Sequence, residues 1–510
     1  MKESYLLGVD IGTYSSKGVL VSLRGEVVAS HVVPHELSMP KPGHFEHDAD
    51  EVWWHDFVEI SNAILHKSEI DPKQILSIGV SAIGSCVLPI DKDGKPLRPG
   101  ILYGIDTRAM DEIAYLQDVI SKSGDPDYEG VKLTSQASGP KVLWIRNNEP
   151  EIYEKTRWFL TSESYIVYRL TDVPSIDIYT AGGYAPIFNS KTISWKKEME
   201  EYVTDIDRLP DFYWSHEVVG EVTDEAARIT GLAKGTPVIA GTTDAASEAI
   251  SAGLAYVGDM MIMFGSTIFF IQKTEQLIKP EKFWASNFLS EGTYAFLGGM
   301  SAAGSLTRWF LNEFGWPEQQ QENQGGPNAY AALAQLAEKS VPGAYGLIAL
   351  PYFEGERTPI HDAKAKGVLF GLSLKHTRAD IYRAILESVA YGIRHNIDEM
   401  KNEGVEAQRI LAVGGGSKNL VWMQIVSDVS GISLNIPEQN IGASYGDAFM
   451  AGMGVGIFKN YSDVSRWVNM KHIIKPRAET KEVYDAQYEI FQDLYTQTKP
   501  LMHRFADRER

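Results

Sequence analysis

The sequence predicts an α/β protein made of two large domains that share one internal plan. At 510 residues the chain is too long for a single hydrophobic core. Residues 5–23 and 261–270 each contain two apolar runs around a turn of glycine and hydroxyl residues. A third glycine-rich turn, at 414–419, follows the apolar run at 410–413. Three such turns, two of them opening similar halves, indicate a duplicated nucleotide-binding architecture.

The first turn carries the residue types that a phosphate site needs. Asp10 is followed by Gly12, Thr13 and Lys17, and the flanking apolar runs predict a strand-turn-strand. Backbone N–H groups and hydroxyls at such a turn can cradle a phosphate, and Lys17 can offset its charge. Asp10 could hold a hydrated Mg²⁺, which prefers few carboxylates and several waters. An ordinary hairpin corner would show the same Asp and Gly.

Composition and missing motifs exclude several classes of protein. The net charge of −19 argues against nucleic acid or an anionic membrane as a partner. No stretch approaches 18 uninterrupted apolar residues, and the N-terminus lacks the apolar core of a signal peptide. Cys86 is the only cysteine, which excludes an internal disulfide and predicts a cytoplasmic location. Neither a P-loop nor a Rossmann glycine motif is present.

Hydrophobic periodicity predicts the elements of both halves. In the first half we expect helices at 52–65 and 245–254 and strands at 76–81 and 237–241. In the second half we expect a hairpin at 260–272, strands at 294–299 and 410–413, and helices at 302–313, 379–399 and 482–505. The polar segment 318–327 is expected to be an exposed loop. We place the domain boundary close to residues 253–258, which divides the chain into domains 1–253 and 254–510.

Several segments together resemble the FGGY family of carbohydrate kinases, over almost the whole chain. Residues 367–372, followed after seven residues by 380–387, satisfy the family's C-terminal signature throughout. Residues 138–148 nearly complete the N-terminal signature, whose first position normally takes a small or aromatic residue or Met and is Gln136 here. Further matches occur at 355–359 and 422–428.

The resemblance implies both a fold and a reaction. The family belongs to the actin-like ATPase-fold superfamily. We therefore expect two actin-like (ribonuclease H-like) domains with mixed sheets flanked by helices, and a catalytic cleft between them. Domain 1–253 would bind the sugar and carry out catalysis, and domain 254–510 would bind the nucleotide. The family phosphorylates a hydroxyl of a small polyol, ketose or sugar acid with ATP and Mg²⁺, and a homodimer is possible.

The family's catalytic base is an aspartate in a Gly-x-x-Asp turn between a strand and a helix. The matching residue is Asp244, three positions after Gly241. A sugar hydroxyl is a poor nucleophile, and a positioned carboxylate can accept its proton as the phosphoryl group moves. Asp244 could also cap the helix that follows, and both roles can coexist.

The resemblance assigns further residues to ATP, all of them at glycine-rich turns or near the start of a helix. Those near the transferred phosphate are Gly12, Thr13 and Lys17. Those near the other phosphates are Gly265, Ser266 and Thr267. Those that flank the adenosine are Gly304, Arg308, Gly415 and Asn419. Arg308 could equally be a solvated arginine on a helix.

The substrate side departs from the family's well-known members. Xylulose kinases usually carry Gln-Met-His-Gly where this chain has Ile83-Gly84-Ser85-Cys86, and the motifs of gluconate and glycerol kinases are missing too. Losing hydrogen-bond donors predicts a weaker or broader xylulose kinase, or a shift to another polyol. Ile83 could contact the carbon chain of the substrate.

The later Trp-x-Asp-x-Arg motif is also altered. Here Tyr103 replaces the tryptophan, and one more residue separates it from Asp106 and Arg108. We expect Asp106 and Arg108 to pair and shape the pocket wall. Tyr103 could contact the substrate, and Thr243 beside Asp244 completes the predicted substrate contacts.

The leading prediction is an ATP-dependent kinase of a pentulose such as D-xylulose. Ribulose, erythritol, gluconate or another polyol, ketose or sugar acid remain alternative substrates. A non-catalytic sugar- or nucleotide-binding regulator would need neither Asp10 nor Asp244. An actin-like filament or chaperone-type ATPase would have no reason to carry both family signatures.

Overall fold

The computed structural model describes residues 3–128, 131–438 and 441–508. The chain forms two compact units. The first contains Met1–Ala255, Ser286–Tyr294 and Ile441–Val468. The second contains Tyr256–Ala285, Ala295–Asn440 and Asn469–Arg510. Among the described residues, no helix is long and apolar enough to cross a membrane.

Short strands and longer helices alternate along both units. The strands are β1 (Tyr5–Ile11), β2 (Ser15–Ser22), β3 (Val27–Pro34), β4 (Ser38–Lys41), β5 (His44–His47), β6 (Ile75–Ala82), β7 (Leu88–Ile90), β8 (Gly100–Ile101), β9 (Trp158–Leu160), β10 (Ser175–Asp177), β11 (Phe188–Asn189), β12 (Ser194–Trp195), β13 (Asp211–Tyr213), β14 (Val218–Glu221), β15 (Pro237–Ile239), β16 (Thr242–Thr243), β17 (Asp259–Phe264), β18 (Ile268–Thr274), β19 (Trp284–Asn287), β20 (Tyr294–Met300), β21 (Ile348–Leu350), β22 (Val368–Phe370), β23 (Arg409–Val413), β24 (Leu434–Pro437) and β25 (Met470–Ile474).

The α-helices are α1 (His55–Ser68), α2 (Met110–Ser123), α3 (Ser138–Asn148), α4 (Pro150–Lys155), α5 (Ser162–Thr171), α6 (Ile178–Ala181), α7 (Asp224–Thr230), α8 (Asp244–Ser251), α9 (Gly304–Phe314), α10 (Trp316–Asn323), α11 (Ala329–Glu338), α12 (Arg378–Asn402), α13 (Leu420–Ser430), α14 (Ala443–Gly454) and α15 (Lys481–Ala506).

The main sheet of the first unit is mixed, with strand order β14-β15-β6-β1-β2-β3 and β16 also pairing with β6. β1 and β2 form the predicted antiparallel hairpin, and β1 runs parallel to β6. Helices cover both faces of this sheet. A Cβ added at Gly18 would meet Ile60 of α1, and one at Gly8, on the opposite face, would lie 1.9 Å from the Ser444 carbonyl of α14.

The main sheet of the second unit repeats this plan, with strand order β19-β20-β18-β17-β23-β24-β25. Its hairpin β17–β18 is antiparallel, and β17 runs parallel to β23. The predicted mixed sheets flanked by helices are therefore confirmed in both halves. The core of this unit is a cluster of buried apolar side chains from β17, β18, α9, α12, α13 and α15.

The structure corrects one predicted element. The polar segment 318–327 was expected to be a loop, but α10 covers most of it. Pro317 stands in the first turn of α10, and Glu318 is the buried residue of this helix. Arg378 of α12 donates to both Glu318 carboxylate oxygens, at 2.7 and 2.8 Å. This tertiary ion pair stabilises a helix that has almost no apolar face of its own.

The compact units also differ from a contiguous division of the chain. Both descriptions change unit near residue 255, but segments 286–294 and 441–468 return to the first unit. The second return has a clear physical cause, because α14 packs against β1, β6 and α8 of the first unit. The predicted domains 1–253 and 254–510 do not include these returns.

Candidate active site

Three polar residues lie side by side where neighbouring parallel strands of the first unit end. Asp10 on β1 is the register partner of Ser81 on β6, and Ser81 is in turn the partner of Thr242 on β16. Asp244 follows β16 directly and begins α8. Because the carboxyl ends of parallel strands meet at one edge of a sheet, the predicted metal ligand and the predicted base lie close together.

Asp244 carries the environment expected of a general base. Burial raises the pKa of Asp244 to about 6, and the hydrogen bond that its carboxylate accepts from the Ala245 amide, at 2.7 Å, opposes this shift. The carboxylate thus touches the first turn of α8, which is the capping contact considered from the sequence. A carboxyl with a pKa near 6 is ionised at neutral pH and can still accept a proton readily.

Glu248 stands one helical turn after Asp244 and was not anticipated from the sequence. Burial, followed by the charge of Asp244, raises the pKa of Glu248 to about 7, while Lys17 opposes the shift. Burial lowers the pKa of Lys17, and the carboxylates of Glu248 and Asp10 counteract that lowering. The i, i+4 spacing on α8 was the available signal, since it places both acids on one helix face.

Asp10 fits the role of a residue near a divalent cation. Burial, then the charge of Asp244, raises the pKa of Asp10 well above its ordinary value, because this edge of the sheet is buried and carries more than one acid. A bound cation would relieve that crowding. In the described part of the chain, no three His, Cys, Asp or Glu side chains are arranged to hold a metal ion. Such a site suits Mg²⁺, which keeps water and phosphate oxygens as most of its ligands.

The phosphate-type turn between β1 and β2 is held from several sides. The Gly12 amide donates to the Ser15 carbonyl at 3.1 Å, and Lys17 Nζ donates to the Ile441 carbonyl. A Cβ at Gly12 would lie 2.5 Å from the Ser15 oxygen, so the turn needs a glycine there. Thr13 Oγ1 and the Tyr103 hydroxyl are 3.3 Å apart. The predicted phosphate turn and the predicted sugar-side residue Tyr103 are therefore neighbours.

His35, which follows β3, contacts the same turn through its backbone amide and its ring. The His35 amide donates to the Tyr14 carbonyl at 3.0 Å, and His35 Nε2 lies 3.1 Å from the Gly12 carbonyl oxygen. His35 Nδ1 lies 2.7 Å from Asp56 Oδ2, which also accepts from Ser16 Oγ at 2.6 Å. No local sequence pattern predicted this contact.

Asp106 and Arg108 pair as expected. Three hydrogen bonds of 2.7 to 3.0 Å join the Arg108 guanidinium to the Asp106 carboxylate, and Arg108 also donates to Glu46 at 2.8 Å. Asp106 is 1% exposed and accepts from the Phe45 amide as well. Lys141 Nζ is buried and donates to the carbonyls of Leu102 and Tyr103, at 2.8 and 2.9 Å. These contacts hold the turn that carries Tyr103.

The segment at 83–85 lies against the strand that leads to Asp244. A Cβ added at Gly84 would lie 2.1 Å from Thr243 Cγ2, so the Gly84 backbone packs directly against the Thr243 side chain. Ser85 Oγ lies 2.7 Å from Ser138 Oγ. Ile83 is 2% exposed and its side chain packs in the core of the first unit. Gly84 and Thr243 are thus in contact, while the side chain of Ile83, predicted to contact the substrate, faces the core.

In the second unit, the turn at Gly265, Ser266 and Thr267 is joined to the start of α9. The Gly304 amide donates to the Gly265 carbonyl and the Ser305 amide to the Ser266 carbonyl, at 3.0 and 3.1 Å. A Cβ at Gly304 would lie 2.4 Å from that Gly265 oxygen. Ser266 and Thr267 are exposed, which leaves their hydroxyls open to a ligand.

The third glycine turn adjoins the same hairpin. Because β23 pairs with β17, Gly414 follows the strand beside Phe264, and Cβ atoms at Gly414 or Gly416 would meet Phe264. Gly415 has open space around its Cα, which suits close approach of a ligand. Asn419 caps α13, accepting from the Trp422 amide at 3.1 Å.

Arg308 lies on α9 and is exposed, as a solvated arginine would be. Among the described residues, no hydrogen bond or ion pair fixes the direction of the Arg308 guanidinium. The family motif at 355–359 joins neighbouring elements of the second unit. Arg357 donates to the carbonyls of Ile268 and Met300, at 3.1 and 2.8 Å, and Glu356 accepts from the Ser301 amide at 2.7 Å. These bonds tie β18 to the approach of α9.

Comparisons with known proteins agree with this arrangement. The N-terminal and C-terminal domain models of the FGGY family of carbohydrate kinases match residues 5–251 and 260–455. A xylulose kinase of Staphylococcus epidermidis is 29% identical over 98% of both chains. A ribulokinase of Geobacillus thermodenitrificans is 26% identical over 97% of this chain and 94% of its own. The crystal structure of xylulose kinase from Rhodospirillum rubrum covers 98% of this chain and 100% of its own, with a TM-score of 0.88 and 30% identity.

Proposed function

Because this chain belongs to the FGGY family of carbohydrate kinases, we propose that it transfers the γ-phosphoryl group of ATP to a hydroxyl of a pentulose such as D-xylulose. The observation that carries the proposal is the buried Asp244, whose pKa of about 6 suits a base, beside Asp10 and the phosphate-type turn. Full-length similarity to xylulose kinases favours a pentulose. The similar ribulokinase keeps ribulose as the main alternative, and erythritol and gluconate stay possible on the altered pocket sequence.

In the proposed reaction, the Asp244 carboxylate accepts the proton of the substrate hydroxyl as its oxygen attacks the γ-phosphorus. The bond from that phosphorus to the bridging oxygen breaks, and ADP leaves. Thr243, Tyr103 and the backbone at Ile83 orient the sugar, and the Asp106–Arg108 pair supports the Tyr103 turn. Alignment and charge neutralisation supply most of the rate in phosphoryl transfer.

We assign residues of each unit separately to the parts of ATP that they contact. Gly12, Thr13 and Lys17 of the first unit face the transferred phosphoryl group. In the second unit Gly265, Ser266 and Thr267 bind the other phosphates, and the residues assigned to the adenosine are Gly304, Arg308, Gly415 and Asn419. Mg²⁺, when bound, screens the phosphate charge, and Asp10 orients its water shell.

A panel of substrates tests the proposal. Purified protein would be assayed by coupled ADP release with D-xylulose, D-ribulose, L-ribulose, erythritol, glycerol and gluconate, with Asp244→Asn as the control for contaminating kinases. We expect the highest kcat/KM on a pentulose. Turnover of a sugar acid alone would overturn the pentulose assignment, and no turnover that exceeds the Asp244→Asn control would favour a regulator.

Two further properties stay predictions. A homodimer is one expectation, which light scattering of the purified protein would check. A cytoplasmic location is the other. It rests on the single cysteine, Cys86, which is buried and has a pKa raised by burial to about 12. Fluorescent tagging at the C-terminus would test that location.

A further inference from the structure

A buried carboxyl behind the proposed site has no role in the reaction described above. Asp447 is the only acidic or basic residue of α14, which otherwise holds apolar and aromatic residues, glycines and one serine. Its side chain is 0% exposed. A carboxyl in such surroundings is costly to keep unless its hydrogen bonds are satisfied.

The backbone fixes the position of Asp447 closely. A Cβ added at Gly79 of β6 would lie 2.2 Å from the Asp447 carbonyl oxygen, and one at Gly446 would lie 2.1 Å from the Ser247 carbonyl oxygen of α8. With Gly8 on β1, these glycines let α14 lie directly on the sheet and on α8. The Asp447 backbone therefore lies directly against β6 and beside α8.

Two serine hydroxyls bracket the carboxyl. Ser247 Oγ lies 2.7 Å from Asp447 Oδ1 and 2.8 Å from the Ala443 carbonyl oxygen. Ser81 Oγ lies 2.7 Å from Asp447 Oδ2 and 3.1 Å from Asp10 Oδ1. Ser81 is thus the one side chain on these contacts that joins Asp447 to Asp10.

If Asp10 is ionised, as its Mg²⁺ role requires, counting protons favours the neutral form of Asp447. Each serine hydroxyl has one proton but faces two oxygen acceptors, so two of the four contacts lack a proton when Asp447 and Asp10 are both ionised. A proton on Oδ1 donates to Ser247, which then donates to the Ala443 carbonyl. The neutral Oδ2 becomes a weaker acceptor than the Asp10 carboxylate, so the Ser81 hydroxyl is free to donate to Asp10.

We propose that Asp447 is a positioning residue, held as a neutral carboxylic acid, that acts through the Ser81 hydroxyl to orient the Asp10 carboxylate. Burial raises the pKa of Asp447 well above its ordinary value, in keeping with this form. The other acids that face this region are Asp10 of β1 and Asp244 of α8. The inference rests on the proposed function, because it gives Asp10 the Mg²⁺ role.

Four variants of the full chain test the proposal: Asp447→Asn, Asp447→Ala, Ser81→Ala and the double variant Ser81→Ala/Asp447→Ala. Two quantities are measured, the Mg²⁺ concentration for half-maximal activity and the affinity for Mg²⁺–ADP by calorimetry. An amide reproduces the donor and acceptor of a neutral acid, so Asp447→Asn should stay within about twofold of the wild type. Ser81→Ala and Asp447→Ala should each raise the Mg²⁺ concentration for half-maximal activity about fivefold. Each should also lower the affinity for Mg²⁺–ADP about fivefold, a change that the loss of one hydrogen bond supports.

The double variant should match Ser81→Ala alone, because Asp447 acts through Ser81. Ser444→Ala is the matched control on the same helix, since Ser444 Oγ is buried without a hydrogen-bond partner among the described residues. It should change neither quantity. Infrared spectra should contain a protonated-carboxyl band that disappears in Asp447→Asn and persists in Asp244→Asn.

Losses in Asp447→Asn as large as in Asp447→Ala would overturn the neutral form, as would an unchanged infrared spectrum. Additive losses in the double variant would overturn the route through Ser81. If Asp447→Ala does not fold, Asp447→Asn and Ser81→Ala decide the matter by the same criteria. The calorimetry and the spectra need no sugar, so a failure of the proposed function would show separately, as absent turnover by the wild type.

Discussion

At the scale of single residues, the first unit concentrates negative charge where its parallel strands end. Asp10, Asp244 and Glu248 share this edge with Lys17, and burial is the largest cause of every pKa shift among them. Crowded acids at a site raise one another's pKa values and attract cations. The arrangement keeps the pKa of Asp244 in the range that suits a base. It also makes the binding of a cation beside Asp10 favourable.

Replacing the base should separate catalysis from folding. We expect Asp244→Asn to lower turnover by about 10² to 10⁴, the usual range for removing a general base. The folded pKa of about 6 exceeds the ordinary value of 3.8, so ionisation of Asp244 opposes folding at pH values above about 6, and this opposition fades as the pH falls. The variant should therefore have a higher Tm than the wild type at pH 7.5, with a smaller gain near pH 4.5. Retention of more than about half of the activity would refute the assignment.

The wild-type pH profile should report the same group. Asp244 must be ionised to accept a proton, and its pKa is about 6. We therefore expect kcat/KM to fall about tenfold per pH unit below pH 6 and to level off above it. Steady-state kinetics from pH 5 to 8 in buffers of constant ionic strength would check this. A profile that stays level down to pH 5 would mean that the base has an ordinary carboxyl pKa.

Removing the Asp10 carboxylate should affect the metal more than the sugar. Asp10→Ala should raise the Mg²⁺ requirement strongly, because the carboxylate orients the metal's water shell. Sugar affinity, measured by calorimetry without nucleotide, should change little. Glu112→Ala, which removes a buried acid of α2 in the same unit, is a comparison for general destabilisation. An unchanged Mg²⁺ requirement in Asp10→Ala would remove Asp10 from the metal site.

At the scale of elements, the site depends on close approach of glycine backbones to neighbouring segments. Turn 83–85 touches Thr243, α14 lies on β1 and β6, and the 265–267 turn touches the start of α9, each through a glycine. Such contacts leave no room for a side chain, so larger residues taken from a relative would clash with the neighbouring segment. The Gln-Met-His sequence of xylulose kinases does not fit at 83–85 in this backbone, because Met at position 84 would overlap Thr243.

The contact at Gly84 can be tested directly. Gly84→Ala should lower both Tm and kcat/KM, because the new methyl would lie 2.1 Å from Thr243 Cγ2. Overpacking of this kind costs about 1 to 3 kcal/mol. The double variant Gly84→Ala/Thr243→Ser removes that methyl partner and should recover part of the Tm. No recovery, or no loss in the single variant, would show that the two segments are not in contact.

At the scale of the whole molecule, the chain builds the same mixed sheet twice, and α14 completes the first copy from far along the sequence. A fragment of residues 1–253 would leave Gly8, Gly79 and the inner face of α8 uncovered. We expect this fragment to unfold without a cooperative transition in urea, followed by circular dichroism. A chain of residues 1–255 joined by a flexible linker to residues 441–468 should regain cooperativity. Cooperative unfolding of the shorter fragment would show that α14 is dispensable for folding of the first unit.

The sequence by itself determined the features that depend on neighbouring residues. The hairpins at β1–β2 and β17–β18, the long helices α12 and α15, and the turns at Gly12 and Gly265 followed from periodicity and glycine placement, because strand and helix repeats and turn geometry act over a few residues. The family motifs supplied Asp244 in the same way. The two-domain plan followed from the chain length and the repeated hairpins.

Only the tertiary structure decided which distant side chains meet. Ser81 and Asp447 are far apart in sequence, and their contact exists because β6 is the parallel neighbour of β1 and α14 returns to cover both. His35 reaches Gly12 for a similar reason, through the pairing of β2 with β3. Strand register and helix packing are cooperative properties of the folded unit, and a single sequence does not show which buried acid or hydroxyl they will bring to the site.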